Sequence, residues 1–298
     1  MLSCISFARE GLKFLQPGWR RLGFAAAAAF MAALCASPPA SADGTTSVVA
    51  KYDLHLAGIA LASFNFSSDI DDRTYTISGR GDSSRLVKLI TKFKGSTKSI
   101  GAIDGERIVP ASYELQFNSR DNDHSVEMRF NQGRVDELAL DPPHTPSPER
   151  VPVKPAHQAG VLDPLSSVVL PLPSGKLEGE TVCARRLPIF DGRHRYDLVL
   201  SYKRTESVPV AGKPDQQTTL FICKIKYSPI AGHKPHRAST TYWQNSEDME
   251  VWLAPVTRAG LLVPYRATLP TPIGPAVLSL SKLEISAKSR HAAVSPLE

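Results

Sequence analysis

Apolar and polar residues alternate in period two along most of the chain, and this pattern restricts the fold more than any other feature. Tyr52 and Leu56 fall on one face of a first strand, Phe64 and Phe66 fall on one face of a second, and Gly58 marks the turn between them. Such alternation is typical of half-buried β-strands. It returns in later segments up to LSLSKLEI near the C-terminus. We therefore expect a mainly β fold, a large curved antiparallel sheet or open half-barrel in which sequential strands pair.

One segment in the first half breaks the alternation and predicts a short helix on the sheet. RLVKLITKFKG places Leu86, Leu89, Ile90 and Phe93 on a single helical stripe with lysines opposite, and Gly95 follows as the expected end of the helix.

A second break, GVLDPLSSVVLPLPSG at residues 160–175, predicts another short helix. Asp163 can cap free amides, Pro164 suits the first helical position, and Pro171 forbids continuation. We expect about two helical turns from Pro164 to Leu170. So short a helix is held only by packing, so we expect it to close the open side of the curved sheet.

The distribution of prolines and turns along the chain predicts one domain. Residues 141–155 are dense in proline and cannot keep strand hydrogen bonding, so we expect an extended surface loop there. We favour one continuous sheet over residues 43–290, because the helix would then fill a shared concavity. Residues 291–298 are expected to form a tail.

The N-terminus has the pattern of a secretory signal peptide over residues 1–42. Basic residues precede the apolar run LGFAAAAAFMAALCA, which is short for a membrane span, and Ala40 and Ala42 have the spacing of a cleavage site. We expect cleavage after Ala42 and export of the mature protein.

Charge and cysteine content narrow the function. Removal of residues 1–42 takes away four Lys/Arg and one Glu, so the net charge falls from +6 to +3. The remaining charge shows no clustered basic face, and we expect no binding to nucleic acid. Cys183 and Cys223 are the two cysteines left, and in an oxidising compartment such a pair predicts a disulfide.

Four stretches together resemble the domain-of-unknown-function 3108 family of bacterial exported proteins. They are YDLHLAGIALASFNF, GVLDPLSS, FDGRHRYDL and MEVWLAP with VPYRATLPTPIGPAVLSLSKLE, in the expected order over nearly the whole mature chain. The resemblance implies a periplasmic, curved half-barrel with a helix against its concave face, and no catalytic residues. A looser resemblance in architecture is to the lipoprotein-localisation proteins, whose open barrels hold acyl chains beneath a helical lid.

No pattern in the chain predicts an enzyme, a cofactor or a metal site. The nucleophile elbow, the P-loop, the zinc-protease helix and the EF-hand loop are all missing from the sequence. His233 and His236 are interpreted as surface histidines, and Asp69, Asp71 and Asp72 as acids of a hairpin turn.

Seven residues are the candidates for ligand binding on the concave face. They are Phe64, Phe66, Leu165, Val168, Val169, Tyr196 and Trp252. One hypothesis is a non-enzymatic envelope protein that binds an acyl chain or a lipoprotein segment there, with the helix at 164–170 as a gate. The alternative is a protein- or cell-wall-interaction module with a filled core, which binds through the 141–155 loop.

Overall fold

The computed structural model describes residues 45–71, 73–85, 87, 93–119, 123–145, 147–210 and 213–288. The predicted signal peptide at 1–42 and the tail at 291–298 lie outside the described residues, as does most of the helix predicted before Gly95.

The described residues form fourteen strands, two helices and three short 3₁₀ turns. The strands are β1 (Thr45–Leu56), β2 (Ile59–Ile70), β3 (Thr74–Ser83), β4 (Phe93–Asp104), β5 (Arg107–Ser119), β6 (Asp123–Asn131), β7 (Arg134–Asp141), β8 (Leu170–Pro171), β9 (Arg185–Phe190), β10 (Arg195–Val210), β11 (Lys213–Ala231), β12 (Glu250–Val256), β13 (Leu261–Leu269) and β14 (Ala276–Lys288). The helices are α1 (Gly179–Cys183) and α2 (Ala238–Asn245), and the 3₁₀ turns are Pro155–Gln158, Ser166–Val168 and Thr257–Ala259. Within this part of the chain, neither helix has the length and apolar character needed to cross a bilayer.

One antiparallel sheet contains all of these strands. Its order is β7-β6-β5-β4-β3-β2-β1-β14-β13-β12-β11-β10-β9, with the short β8 paired to β13. Sequential strands pair from β1 to β7 and from β9 to β14, and β1 pairs with β14 to join the two halves. The predicted alternation holds along β1, where Val48, Ala50 and Tyr52 are buried and Val49 and Lys51 are exposed. The expected mainly β fold with one large antiparallel sheet is therefore confirmed.

A short stretch of chain spans the gap between the two edge strands, β7 and β9. Ala159 forms an isolated bridge with Arg134 of β7, and Leu162 forms another with Ile189 of β9. Unpaired sheet edges are templates for pairing with other chains, and these bridges cover part of both. After the bridge at Leu162, the next residue, Asp163, enters the concave side of the sheet.

The structure corrects two predicted helix boundaries. Gly95 does not end a helix, because it lies in β4 and pairs with Gly81 of β3. The segment from Pro164 to Leu170 forms a single 3₁₀ turn at Ser166–Val168 in place of two helical turns. The physical reason is that Leu170 and Pro171 are extended and pair with β13, which ends the turn.

Candidate functional site

The segment Asp163–Leu170, which we call the plug segment, lies inside the curve of the sheet. Asp163 and Ser166 are completely buried, and Leu165, Val169 and Leu170 are nearly so. Leu165 and Val169 belong to the same core cluster as residues of β2, β3, β5, β6 and β7. The sequence-based expectation that this segment packs inward is therefore confirmed.

A buried polar network holds the plug segment to the sheet. Asp163 Oδ1 accepts hydrogen bonds from the backbone N–H groups of Leu165 (2.9 Å) and Ser166 (2.8 Å), so the predicted capping role is confirmed. Asp163 Oδ2 accepts from the hydroxyls of Ser166 and, at 3.1 Å, of Ser99 on β4. The hydroxyls of Tyr75 on β3 and Ser166 lie 2.6 Å apart. The network thus connects the plug segment to two neighbouring strands.

Burial dominates the electrostatics of this network. It raises the pKa of Asp163 above its ordinary value, although the hydrogen bonds from Ser166, Ser99 and Leu165 act to lower it. Burial also raises the pKa of Tyr75 to about 12, against a hydrogen bond with Ser166. Within the described residues, no cation forms an ion pair with Asp163. Hydroxyls and amides alone solvate this carboxyl group.

An apolar cavity of about 280 Å³ lies between the plug segment and the sheet. Its walls come from β1 to β5, from β13 and β14, and from the plug segment itself. Tyr52, Tyr113 and Leu262 are buried in the wall, whereas Val168 of the plug segment is 43% exposed. The plug segment therefore borders the cavity without filling it.

Three of the hydroxyl groups in this wall are bonded to backbone carbonyls. Tyr52 donates to the Pro264 carbonyl at 2.8 Å, and Ser68 donates to that of Val48 at 3.3 Å. Thr97 donates to the Glu114 carbonyl at 2.9 Å. Burial raises the pKa of Tyr52, so this phenol is neutral at physiological pH. The wall offers a ligand apolar surface and no charged group.

Four of the seven predicted ligand-binding residues meet at this cavity. Phe66, Leu165, Val168 and Val169 line it. Phe64 lies beside the lining and stacks on Phe66, with ring centroids 6.4 Å apart.

The other two predicted residues lie outside the cavity lining. Tyr196 packs against Tyr227 near α2, with ring centroids 5.5 Å apart. Trp252 lies between two guanidinium groups, 5.4 Å from that of Arg204 and 5.7 Å from that of Arg266. Both residues adjoin register shifts in their strands, where a bulge reverses the faces on which side chains lie.

Sequence reasoning missed the glycines that seat the two phenylalanines. Phe66 pairs with Gly79 and Phe64 pairs with Gly81 on β3. A Cβ on Gly79 would lie 2.5 Å from Phe66 Cε1, so only glycine leaves room for this ring. The pattern Gly-Arg-Gly opposite Phe-Asn-Phe was the available signal, because an aromatic ring can cover a glycine across a strand pair.

A second, more polar cleft of about 880 Å³ lies between the β4–β5 turn, the chain at 160–162 and β9. Arg185 lines it and donates to the carbonyls of Val182 (2.9 Å) and Pro171 (2.6 Å). Glu106 accepts from the Ser174 N–H, and that bond lowers its pKa. Among the described residues, no group of three or more His, Cys, Asp and Glu side chains could hold a metal ion.

The predicted disulfide is confirmed. Cys183 of α1 and Cys223 of β11 are bonded, with Cα atoms 5.5 Å apart, and both residues are completely buried. They belong to a second core cluster with residues such as Leu200 and Leu253. The bridge therefore fixes α1 onto the C-terminal half of the sheet.

Comparison with known proteins gives a family and a distant structural likeness. No curated protein matches the chain. A similar solved structure is the crystal structure of a beta-barrel-like protein of domain of unknown function DUF1849 from Brucella abortus. It shares 10% sequence identity, covers 82% of this chain and 98% of its own, and superposes with a TM-score of 0.43. The model of the family described as protein of unknown function (DUF3108) matches residues 51–281, and this chain belongs to that family.

Proposed function

We propose that this protein is a non-enzymatic, exported protein of the cell envelope that binds one acyl chain in the apolar cavity beside the plug segment. The observation that carries the proposal is the wall of that cavity. It is apolar, it includes the half-exposed Val168, and the hydroxyls of Tyr52, Ser68 and Thr97 are already bonded to backbone carbonyls.

The same wall defines the part of the ligand that enters. A charged head group inside the cavity would lose its hydration and find no oppositely charged partner in the lining, which is costly in an apolar site. The volume of about 280 Å³ is just below the range of about 300–1,000 Å³ typical of small-molecule sites. We therefore infer that a single hydrocarbon chain enters and that its head group stays outside.

Two further observations support the remaining parts of the proposal. Ser166 lies beside a carboxyl group, but it is completely buried, so a substrate could not reach its hydroxyl. The Cys183–Cys223 disulfide suits an oxidising compartment, in agreement with the signal-peptide pattern of residues 1–42. N-terminal sequencing of the protein from a periplasmic extract tests export, and the expected first residue is Asp43.

A pair of matched variants tests the acyl site. Val168→Glu places a charge at the cavity, where the valine is 43% exposed. Val199→Glu is the control: this valine lies on β10 opposite Lys226 and has a similar exposure of 37%. Titration of the purified proteins with a fluorescent fatty acid should show binding to the wild type and to Val199→Glu. Affinity for Val168→Glu should fall at least tenfold, the ratio expected when favourable apolar contacts become burial of a charge.

Either of two results would count against the proposal. Equal affinity of the two variants would place the fatty acid elsewhere, and no uptake by any of the three proteins would favour an interaction module with a filled core. Organic extraction of the protein purified from its native envelope, followed by mass spectrometry, identifies the source of the chain. A free lipid would appear in the extract, whereas the acyl chain of a lipoprotein would remain attached to its polypeptide.

A further inference from the structure

Two neighbouring connections at one end of the sheet form an apolar surface, which we call the apolar tip. It consists of residues 56–62, around the β1–β2 turn, and residues 269–278, around the β13–β14 turn. Neither stretch contains a charged residue, in a chain with 21% charged residues, and Thr271 carries the one polar side chain in them. Of the large apolar side chains in the described part of the chain, those of Ile273 (72%) and Ile59 (58%) are the most exposed.

The two connections are held together and have little freedom. The backbone N–H of Ala57 donates to the Pro275 carbonyl at 3.0 Å. Gly274 lies so close that a Cβ on it would be 2.8 Å from that of Ala57. Trp243 of α2 donates its indole N–H to the Pro270 carbonyl at 3.2 Å. The prolines in the second connection further limit the entropy that binding would cost.

Several backbone groups of the second connection need no bond to water. Pro270, Pro272 and Pro275 have no N–H group, and the N–H of Gly274 donates to the Thr271 carbonyl at 3.1 Å. The Thr271 hydroxyl donates to the Gly274 carbonyl at 2.6 Å. Burial of backbone polar groups in hydrocarbon is tolerated when they are bonded within the protein.

We propose that the apolar tip inserts into the surface of a lipid bilayer. A membrane suits this surface because both connections lack charged residues and present the exposed side chains of Ile59 and Ile273. A cation also lies beside the tip: Ser84 bonds to the Ala60 and Leu61 carbonyls, and the adjacent Arg85 is exposed. Apolar groups that insert, with a flanking cation and a tryptophan behind them, are typical of proteins that bind at the membrane surface.

Sedimentation with vesicles tests this proposal, using the mature protein and vesicles of phosphatidylcholine with and without phosphatidylglycerol. The wild type should sediment with both, and more strongly with the anionic vesicles because of Arg85. Ile273→Glu and Ile59→Glu should each lower the partition coefficient at least about tenfold, the ratio expected when burial of one isoleucine side chain is lost. Val199→Glu, an exposed site on β10, should leave it unchanged.

Three results would overturn the proposal. The first is equal sedimentation of the isoleucine and valine variants, and the second is sedimentation that salt abolishes but Ile273→Glu does not. The third is no vesicle binding together with a dimer that Ile273→Glu dissociates, which would make the tip a contact between copies of the chain. The proposal does not depend on the acyl site, since Ile273→Glu should bind a fluorescent fatty acid in solution as the wild type does.

Discussion

Replacement of Asp163 with alanine should loosen the plug segment from the sheet. The substitution removes the acceptor for the backbone N–H groups of Leu165 and Ser166 and for the Ser99 and Ser166 hydroxyls. The two N–H groups lie in a buried setting, and each buried donor left without a partner costs about 1–3 kcal/mol. Relief of the buried carboxyl group offsets part of this cost. We therefore expect the free energy of unfolding to fall by about 3 kcal/mol.

Asp71 provides a control with the same local bonding and different burial. Its Oδ1 accepts from the N–H groups of Arg73 (2.9 Å) and Thr74 (2.6 Å), but these bonds are exposed. Water can replace them, so Asp71→Ala should cost no more than about 1 kcal/mol. Urea unfolding followed by tryptophan fluorescence measures both variants. A loss below 1 kcal/mol for Asp163→Ala, or equal losses for the two variants, would refute the reasoning.

The pH dependence of stability tests the same network through its charge. Burial raises the folded-state pKa of Asp163 above its unfolded value of about 3.9. Protonation therefore favours the folded state, and this stability is complete below the unfolded pKa and is lost as pH rises through the folded pKa. Asp163→Asn cannot titrate. We compare the free energy of unfolding of the wild type with that of Asp163→Asn. As the pH falls from the folded-state pKa to the unfolded one, the wild type should gain stability relative to the variant, by at most about 1.4 kcal/mol per pH unit. A flat difference, or one that falls, would contradict it.

Three other predictions concern the sheet. Cys183→Ser, which opens a bridge of sequence separation 40, should lower the free energy of unfolding by up to about 4 kcal/mol; calorimetry that finds no change in Tm would contradict this. Gly79→Ala should destabilise the protein by about 1–3 kcal/mol because its Cβ meets a phenylalanine ring, whereas Gly95→Ala meets its neighbours at ordinary contact distance; chemical unfolding of the two variants should separate them. The nearly buried Arg195 lies 2.5 Å from the buried carboxylate of Asp197, which Arg186 also contacts. Arg195→Met should lower the free energy of unfolding by about 3–5 kcal/mol in the same measurement, reduced by the part of the charge that Arg186 still compensates.

Local features of the fold could be predicted from the sequence because they depend on neighbours in the chain. Alternation along β1 placed Tyr52 on its predicted face, which is buried, and Gly58 marked the turn between β1 and β2. The disulfide followed from the two cysteines that lie outside the predicted signal peptide. Each of these inferences needs only a short window of sequence or a count of residues.

The apolar cavity could be predicted only in part, because its walls come from residues that are far apart in the sequence. Ser166 lies 91 residues from Tyr75 and 67 from Ser99, and no local pattern indicates such contacts. The placement of Tyr196 and Trp252 depends on bulges in β10 and β12, which change the face that a strand presents. Alternation predicts a face correctly only as far as the next register shift.

The polar network explains how an apolar cavity can persist beside an apolar segment. A plug segment held by hydrophobic contact alone would settle onto the sheet until its side chains filled the space, because empty apolar volume is costly. The bonds from Asp163 and Ser166 to Ser99 and Tyr75 fix the distance between segment and sheet, since a shift would leave a buried carboxyl group without partners. Val168 then borders open volume. Asp163→Ala should therefore lose acyl binding as well as stability, even under conditions in which the variant remains folded.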